Sequence, residues 1–144
     1  MLVYGDRLSS ACPYISLNYG IIMLYTETLN DNKDFLLLYK KGRFTASKYT
    51  VIYVRPNGKS CNRLGITAGK KIGNAVCRNR AKRLIRHAYR EAEISLPVGI
   101  DIVIVARKPI CEIKSQELCA YMNKYGIPEI NRMASKNDGA KRRK

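Results

Sequence analysis

The sequence predicts one small domain in which helices pack against a β-sheet. Three segments have the apolar spacing of amphipathic helices, and three others have the alternation or the β-branched composition of strands. The chain has 144 residues, of which 46% are hydrophobic. This composition suffices for a single core, and the length leaves little room for a second domain.

The first helix is predicted to start at Thr28 and to end at the two lysines before Gly42. Thr28 itself or Asn30 is suited to cap its start, and the lysines match the negative end of the helix dipole. Gly42 follows as a stop signal. Phe35 and Tyr39 share one face because they are four residues apart, and this spacing by itself favours a place in the core.

Strands are predicted over residues 49–55, 63–68 and 100–106. The first alternates between two sets of side chains, as expected when the two faces of a sheet differ. The third has the sequence IDIVIVA, which is long enough and rich enough in β-branched residues for a buried strand. A Pro-Asn-Gly turn signal separates the first two strands.

The most informative segment is KKIGNAVCRNRAKRLIRHAYREA, which has helical spacing from Asn74 onward. Its apolar stripe consists of Cys77, Ala81, Leu84, Ile85, Ala88 and Ala92. Basic residues recur every four positions beside this stripe, at Arg78, Lys82, Arg86 and Arg90. Like charges at this spacing repel one another, so the pattern favours an external polyanion as partner. Lys70 and Lys71 precede the helix start, where free backbone N–H groups also favour phosphate.

A last helix is predicted over residues 115–125, where Leu118, Tyr121, Met122 and Tyr125 have core spacing. Residues 129–144 are polar, end in AKRRK and are predicted to form a basic disordered tail. Residues 1–22 show no clear period and are assigned to an N-terminal extension of unknown role. The folded domain is therefore expected over residues 23–128.

The net charge of +16 is concentrated in the middle of the chain. Residues 35–90 carry 15 of the 27 basic residues and none of the 11 acidic ones. Such segregation favours a polyanionic partner, with nucleic acid as the first candidate and an anionic membrane surface as the second. Each basic group that neutralises a phosphate releases a counterion, which makes such binding strongly dependent on salt.

Cysteine and histidine usage argues against several classes of protein. The five cysteines form no CxxC pair, which argues against a zinc knuckle and favours a reduced, cytoplasmic compartment. His87 is the only histidine and lies among arginines, which disfavour the imidazolium that a general base becomes. The basic segment has neither a carboxylate pair for Mg²⁺ nor a P-loop. The residues alone therefore indicate a nucleic-acid-binding protein without its own active site.

Residues 70–86 closely resemble the signature of the protein subunit of bacterial ribonuclease P, whose hallmark is the RNR triplet at Arg78, Asn79 and Arg80. Matching features upstream are Leu29, Asp34, Phe35, Tyr39 and Gly42, and downstream the run from Ala106 to Pro109. The resemblance covers about residues 25–125. It implies an endoribonuclease that acts as a ribonucleoprotein and removes the 5′ leader from precursor tRNA.

The resemblance also implies how the work is divided within that particle. The RNA subunit carries the active site and the Mg²⁺ ions, so no catalytic or metal-binding residue is expected in the protein. The residues expected to bind the catalytic RNA are Lys70, Lys71, Asn74, Arg78, Asn79, Arg80, Lys82, Arg83 and Arg86. Asn79 either touches RNA or fixes the helix geometry. The leader is expected in a cleft lined by Phe35, Tyr39 and Tyr53, which replaces the core assignment for these rings.

The family fold that the resemblance implies is α+β with the order αβββαβα, a small central sheet similar to a ribosomal-protein domain, and a left-handed βαβ crossover. General rules favour the right-handed form, so only the resemblance supports this hand. The fourth strand is expected within residues 45–63. Because the family pattern usually begins near the chain start, Met23 is expected to be the natural first residue.

The expected partners are ribonuclease P RNA and precursor tRNA, with no membrane and no obligate protein partner. A ribosome-associated structural protein is the alternative, which would share the basic helix but would not need an exposed aromatic cleft. A protein-only nuclease is a third possibility, and it would need a carboxylate or histidine cluster that the sequence lacks.

Overall fold

The computed structural model describes residues 26–142, with side chains up to residue 135. The extension predicted for residues 1–22 and the start expected at Met23 lie outside the described residues. Between residues 26 and 142 the chain forms five strands and four α-helices. In chain order they are β1 (Thr26–Thr28), α1 (Asn32–Lys41), β2 (Arg43–Ala46), β3 (Thr50–Pro56), β4 (Asn62–Thr67), α2 (Ala75–Ala92), β5 (Ile100–Ala106), α3 (Ser115–Tyr121) and α4 (Ile127–Arg142).

The strands form one mixed sheet in the order β1-β4-β5-β3-β2. β1, β4 and β5 run parallel, whereas β3 is antiparallel to both β5 and β2. The α+β class is confirmed, and so is the order αβββαβα from α1 to α3, with one further strand in front. The segment β4–α2–β5 is a parallel crossover, and its left hand stays a prediction.

The structure corrects the start of α1. Asp31, rather than Thr28 or Asn30, caps the helix, because its side chain accepts a hydrogen bond of 3.0 Å from the Lys33 backbone N–H. Thr28 belongs to β1 instead, where it pairs with Leu64 of β4. The end before Gly42 is confirmed.

β1 is also fixed by buried hydrogen bonds to the end of α2. The Thr26 hydroxyl lies 2.9 Å from the Tyr89 hydroxyl and donates to a carboxylate oxygen of Glu93 at 2.7 Å. All three side chains are buried, and burial raises the pKa of Tyr89. This network compensates the burial of polar groups and ties a three-residue strand to the rest of the domain.

The fourth strand of the family order lies earlier than expected. It is β2 at Arg43–Ala46, which only touches the start of the predicted stretch 45–63. With four residues, β2 is too short to show a recognisable alternation of side chains in the sequence, and it becomes a strand by pairing with β3.

The prediction of a disordered tail over residues 129–144 is wrong for the residues that the structure describes. The chain passes from α3 through a π-helical turn, Met122–Gly126, into α4, which extends to Arg142. Ile130 and Met133 are buried in the core. Their spacing of three residues places both on one face of α4. Burial of these two side chains stabilises the helix, although its polar composition had predicted disorder.

The sheet separates two apolar clusters of different size. The large cluster joins Ile52, Ile102 and Ile104 of the sheet to α2, α3 and α4. The small cluster lies on the other face, where Leu38 of α1 and Leu29 pack on Val103. Among the described elements, α1 is the helix over this second face.

Among residues 26–142, no helix is both long enough and apolar enough to cross a lipid bilayer.

Candidate nucleic-acid interface

Four aromatic side chains form a continuous surface on the face of the sheet that α1 covers. This aromatic cleft consists of Phe35, Tyr39, Phe44 and Tyr53. The ring centroids of Tyr39 and Tyr53 are 5.0 Å apart, those of Phe44 and Tyr53 are 5.7 Å apart, and those of Phe35 and Tyr39 are 6.5 Å apart. The structure thus brings together the three rings that the resemblance assigns to a leader cleft.

The fourth ring, Phe44, is absent from the sequence prediction and is the most exposed of the four. It is 62% exposed, and Tyr39 is 39% exposed. Phe44 reaches the cleft because it lies opposite Tyr53 in the pairing of β2 with β3. The only signal for it in the sequence is an aromatic residue two positions after the helix stop at Gly42.

Gly65 of β4 provides the floor on which the Phe35 ring lies. A β-carbon built on Gly65 would lie 2.5 Å from Cζ and 2.6 Å from Cε1 of Phe35. Any side chain at this position would therefore displace the ring from the sheet. Glycine here allows the close approach of α1 to the sheet.

An ion-pair cluster fixes α1 beside the cleft. The Arg63 guanidinium donates to both carboxylate oxygens of Asp101, at 2.8 and 2.6 Å, and to Asp34 of α1 at 2.8 Å. Asn57 donates to Asp101 as well, at 2.9 Å. Hydrogen bonding to Asp101, opposed by partial burial, is the main cause that raises the pKa of Arg63. Arg63 is therefore a structural residue, although it belongs to the basic segment of the sequence.

The start of α2 presents backbone N–H groups next to two exposed lysines. Asn74 caps the helix, since its side-chain oxygen accepts a hydrogen bond of 3.0 Å from the Cys77 N–H. Lys70 and Lys71 lie in the preceding 3₁₀ turn, and both are exposed. Asn74 thus has a structural role, and the free backbone N–H groups of such a helix start are suited to an anion.

The basic side chains of α2 divide between two surfaces. Asn79, Arg80 and Arg83 are exposed, whereas Arg78, Lys82 and Arg86 are partly buried. Lys82 and Arg86 line a cavity of about 240 Å³ together with Phe35 and Gly65. The structure therefore places two residues expected to bind the catalytic RNA beside the aromatic cleft.

Two further residues of α2, Arg78 and His87, have polar atoms in unusual environments. Among the described residues, the buried Nε of Arg78 has no hydrogen-bond partner. His87 Nδ1 lies 3.2 Å from a guanidinium nitrogen of Arg90, and both line a small cavity of about 90 Å³ with Arg83 and Arg86. This arrangement is suited to an anion.

Comparison with known proteins identifies relatives of this chain. Residues 23–126 match the family model described as Ribonuclease P. The ribonuclease P protein component of Lachnoclostridium phytofermentans is 49% identical over 82 residues, which are 57% of this chain and 71% of the relative. That of Shouchella clausii is 40% identical over 93 residues, which are 64% and 76% of the two chains. The solved RNase P protein of Staphylococcus aureus has a TM-score of 0.64 at 31% identity, covering 74% of this chain and 95% of that one.

Proposed function

Because this chain belongs to the ribonuclease P protein family, we propose that its aromatic cleft binds the single-stranded 5′ leader of precursor tRNA. Membership makes the chain the non-catalytic protein subunit of a ribonucleoprotein endonuclease that acts in tRNA 5′ processing, with ribonuclease P RNA as its partner. The further assignments concern which surface of the protein contacts which RNA.

The observation that carries the leader assignment is the exposed row of aromatic rings. Unpaired bases stack on aromatic side chains whatever their sequence, as leaders of different tRNAs require. Lys82 and Arg86 border the row and supply positive charge for the leader backbone. A ribosome-associated structural protein would have no need of such a row.

The exposed cationic surface of α2 is the proposed site for ribonuclease P RNA. It comprises Arg80 and Arg83, the neighbouring Asn79, and Lys70 and Lys71 at the start of the helix. A folded RNA presents closely spaced phosphates, which match side chains repeated along one helix. In this proposal Asn74 acts indirectly, by fixing the first turn of α2.

We assign the Mg²⁺ ions of the holoenzyme to the RNA subunit. The two aspartates next to the cleft, Asp34 and Asp101, are engaged by Arg63, so these carboxylates do not fit a hydrated magnesium ion. The proposal places the particle in the cytoplasm and requires no further protein subunit.

Tyr39→Ala tests the leader assignment in the holoenzyme reconstituted with ribonuclease P RNA. We expect about tenfold weaker binding of precursor tRNA, because one stacked base is worth roughly 1–3 kcal/mol. Binding of mature tRNA, which has no leader, is expected to stay unchanged. Equilibrium binding of the two tRNAs is the measurement, with Leu36→Ala as a matched control on the same helix. Equal weakening for precursor and mature tRNA would contradict the assignment.

Arg80→Ala tests the RNA-subunit surface. We expect weaker binding of ribonuclease P RNA and a salt dependence reduced by about one counterion, since each phosphate contact releases about one ion. The control is Arg132→Ala, whose guanidinium is exposed and engaged by Glu129 on α4. A salt slope that is the same for Arg80→Ala and the unmodified protein would place Arg80 away from the phosphates.

A further inference from the structure

A second group of aromatic and basic side chains lies on the opposite side of the sheet. This tyrosine–lysine surface consists of Tyr49, Tyr121, Tyr125, Lys48 and Lys124. The ring centroids of Tyr49 and Tyr121 are 5.4 Å apart, and those of Tyr121 and Tyr125 are 5.5 Å apart. Tyr49 and Tyr121 pack on the large cluster, whereas the cleft residue Tyr53 packs on the small one. The two aromatic surfaces are therefore distinct.

The chemistry of this surface suits single-stranded RNA. The ammonium of Lys48 lies 5.6 Å from the Tyr49 centroid, and that of Lys124 lies 5.3 Å from the Tyr125 centroid. Tyr125 is 51% exposed, which leaves ring surface for a base. Aromatic rings with adjacent cations are the usual composition of surfaces that hold unpaired nucleotides.

The backbone conformation around Tyr125 also favours a binding role for this surface. Tyr125 lies in the π-helical turn Met122–Gly126, a form that is rare in helices and frequent at functional sites. Gly126 permits the wide turn to pack closely, since a β-carbon there would lie 2.7 Å from the sulfur of Met122. Met122 is buried and anchors the turn, while Tyr125 is left at the surface.

Both aromatic surfaces extend to the same end of the sheet, where β5 ends. The Tyr39 hydroxyl lies 3.4 Å from the Thr67 hydroxyl, and Thr67 is the register partner of Val105 in β5. Two residues further along, the Arg107 backbone N–H donates to the Tyr49 carbonyl at 2.9 Å. At about 3.3 Å per residue, these two contacts are roughly 7 Å apart along the direction of β5, and they belong to surfaces on opposite faces of the sheet.

We propose that the leader of precursor tRNA continues from the aromatic cleft past the end of β5 onto the tyrosine–lysine surface, which binds the leader nucleotides farther from the cleavage site. The inference rests on the proposed function of the cleft. It predicts that the protein distinguishes long leaders from short ones through residues outside the cleft.

The test uses the reconstituted holoenzyme and one precursor tRNA with either a short leader that ends within the cleft or a leader several nucleotides longer. With Tyr125→Ala, binding of the long-leader precursor is expected to weaken about fivefold, while binding of the short-leader precursor stays unchanged. Lys124→Gln is expected to reduce the salt dependence for the long leader alone. Asn123→Ala, an exposed neighbour without a ring, is the matched control, and Tyr125→Phe is expected to retain binding.

Three results would overturn the inference: equal effects on both precursors, no effect on either, or weaker binding of ribonuclease P RNA in place of the substrate. Attachment of another protein to this surface, lost with Tyr125→Ala, would count against it as well. Tyr39→Ala separates this inference from the proposed function, because it is expected to weaken binding of both precursors. If Tyr39→Ala changes neither, the assignment of the cleft fails, whatever Tyr125→Ala does.

Discussion

Replacing Arg63 by alanine is expected to lower the free energy of unfolding by about 3 kcal/mol, the lower end of the range for breaking a buried ion pair. The Asp101 side chain is 3% exposed and receives two hydrogen bonds from Arg63. Without Arg63 its charge would stay buried with Asn57 as the remaining side-chain donor among the described contacts. Urea denaturation of the free protein measures the loss.

The cause can be separated from general disruption by a second substitution. Arg63→Ala combined with Asp101→Asn removes the uncompensated charge and is expected to be more stable than Arg63→Ala alone, by about 1 kcal/mol or more. Arg132→Ala breaks an exposed pair and is expected to cost less than about 1 kcal/mol. A double variant no more stable than Arg63→Ala would rule out the buried charge as the cause.

Arg63→Ala is also expected to disturb the aromatic cleft, because Arg63 joins Asp34 of α1 to the sheet. α1 carries Phe35 and Tyr39, so a loosened helix separates these rings from Tyr53. The loss in precursor binding is therefore expected to be larger than that of Tyr39→Ala. Binding of ribonuclease P RNA, which uses α2 in our proposal, is expected to change less.

Gly65→Ala is expected to lower stability by about 1–3 kcal/mol and to weaken binding of precursor tRNA by displacing the Phe35 ring. The added methyl group would overlap Cζ of Phe35 at 2.5 Å. Thermal unfolding of the protein and precursor binding by the holoenzyme are the two measurements. Gly69→Ala is the matched control, because no atom lies within 4 Å of the β-carbon it would add.

A double-mutant cycle identifies the overlap as the cause. Phe35→Leu leaves more space above Gly65, so Gly65→Ala is expected to cost less in that background. If the stability losses of Gly65→Ala and Phe35→Leu simply add, the overlap of the added methyl group with the Phe35 ring is not the cause of the loss.

The sequence was most informative where a signal is local. The helix start near Asn74, the basic rows of α2 and the stop at Gly42 depend on neighbours within a few residues, and each appears in the structure. The aromatic assignment of Phe35 and Tyr39 required the family resemblance, because their spacing fits a core helix equally well.

What the sequence could not predict depends on pairing between distant residues. β1 is three residues long and becomes a strand only through β4, and Phe44 reaches the cleft only through its register with Tyr53. The structural role of Arg63 requires Asp101, which is 38 positions away. α4 was missed for a different reason, since two buried residues, Ile130 and Met133, outweigh the polar composition around them.

The position of β5 between β3 and β4 has a consequence for synthesis on the ribosome. β3 and β4 follow one another in the chain but do not pair, because β5 lies between them and is made some 40 residues later. The nascent chain therefore holds Phe44 and Tyr53 on one hairpin and Gly65 on a separate strand until Ala106 has emerged. Growing chains shorter than this have no assembled aromatic cleft, so the proposed leader-binding surface forms late in translation.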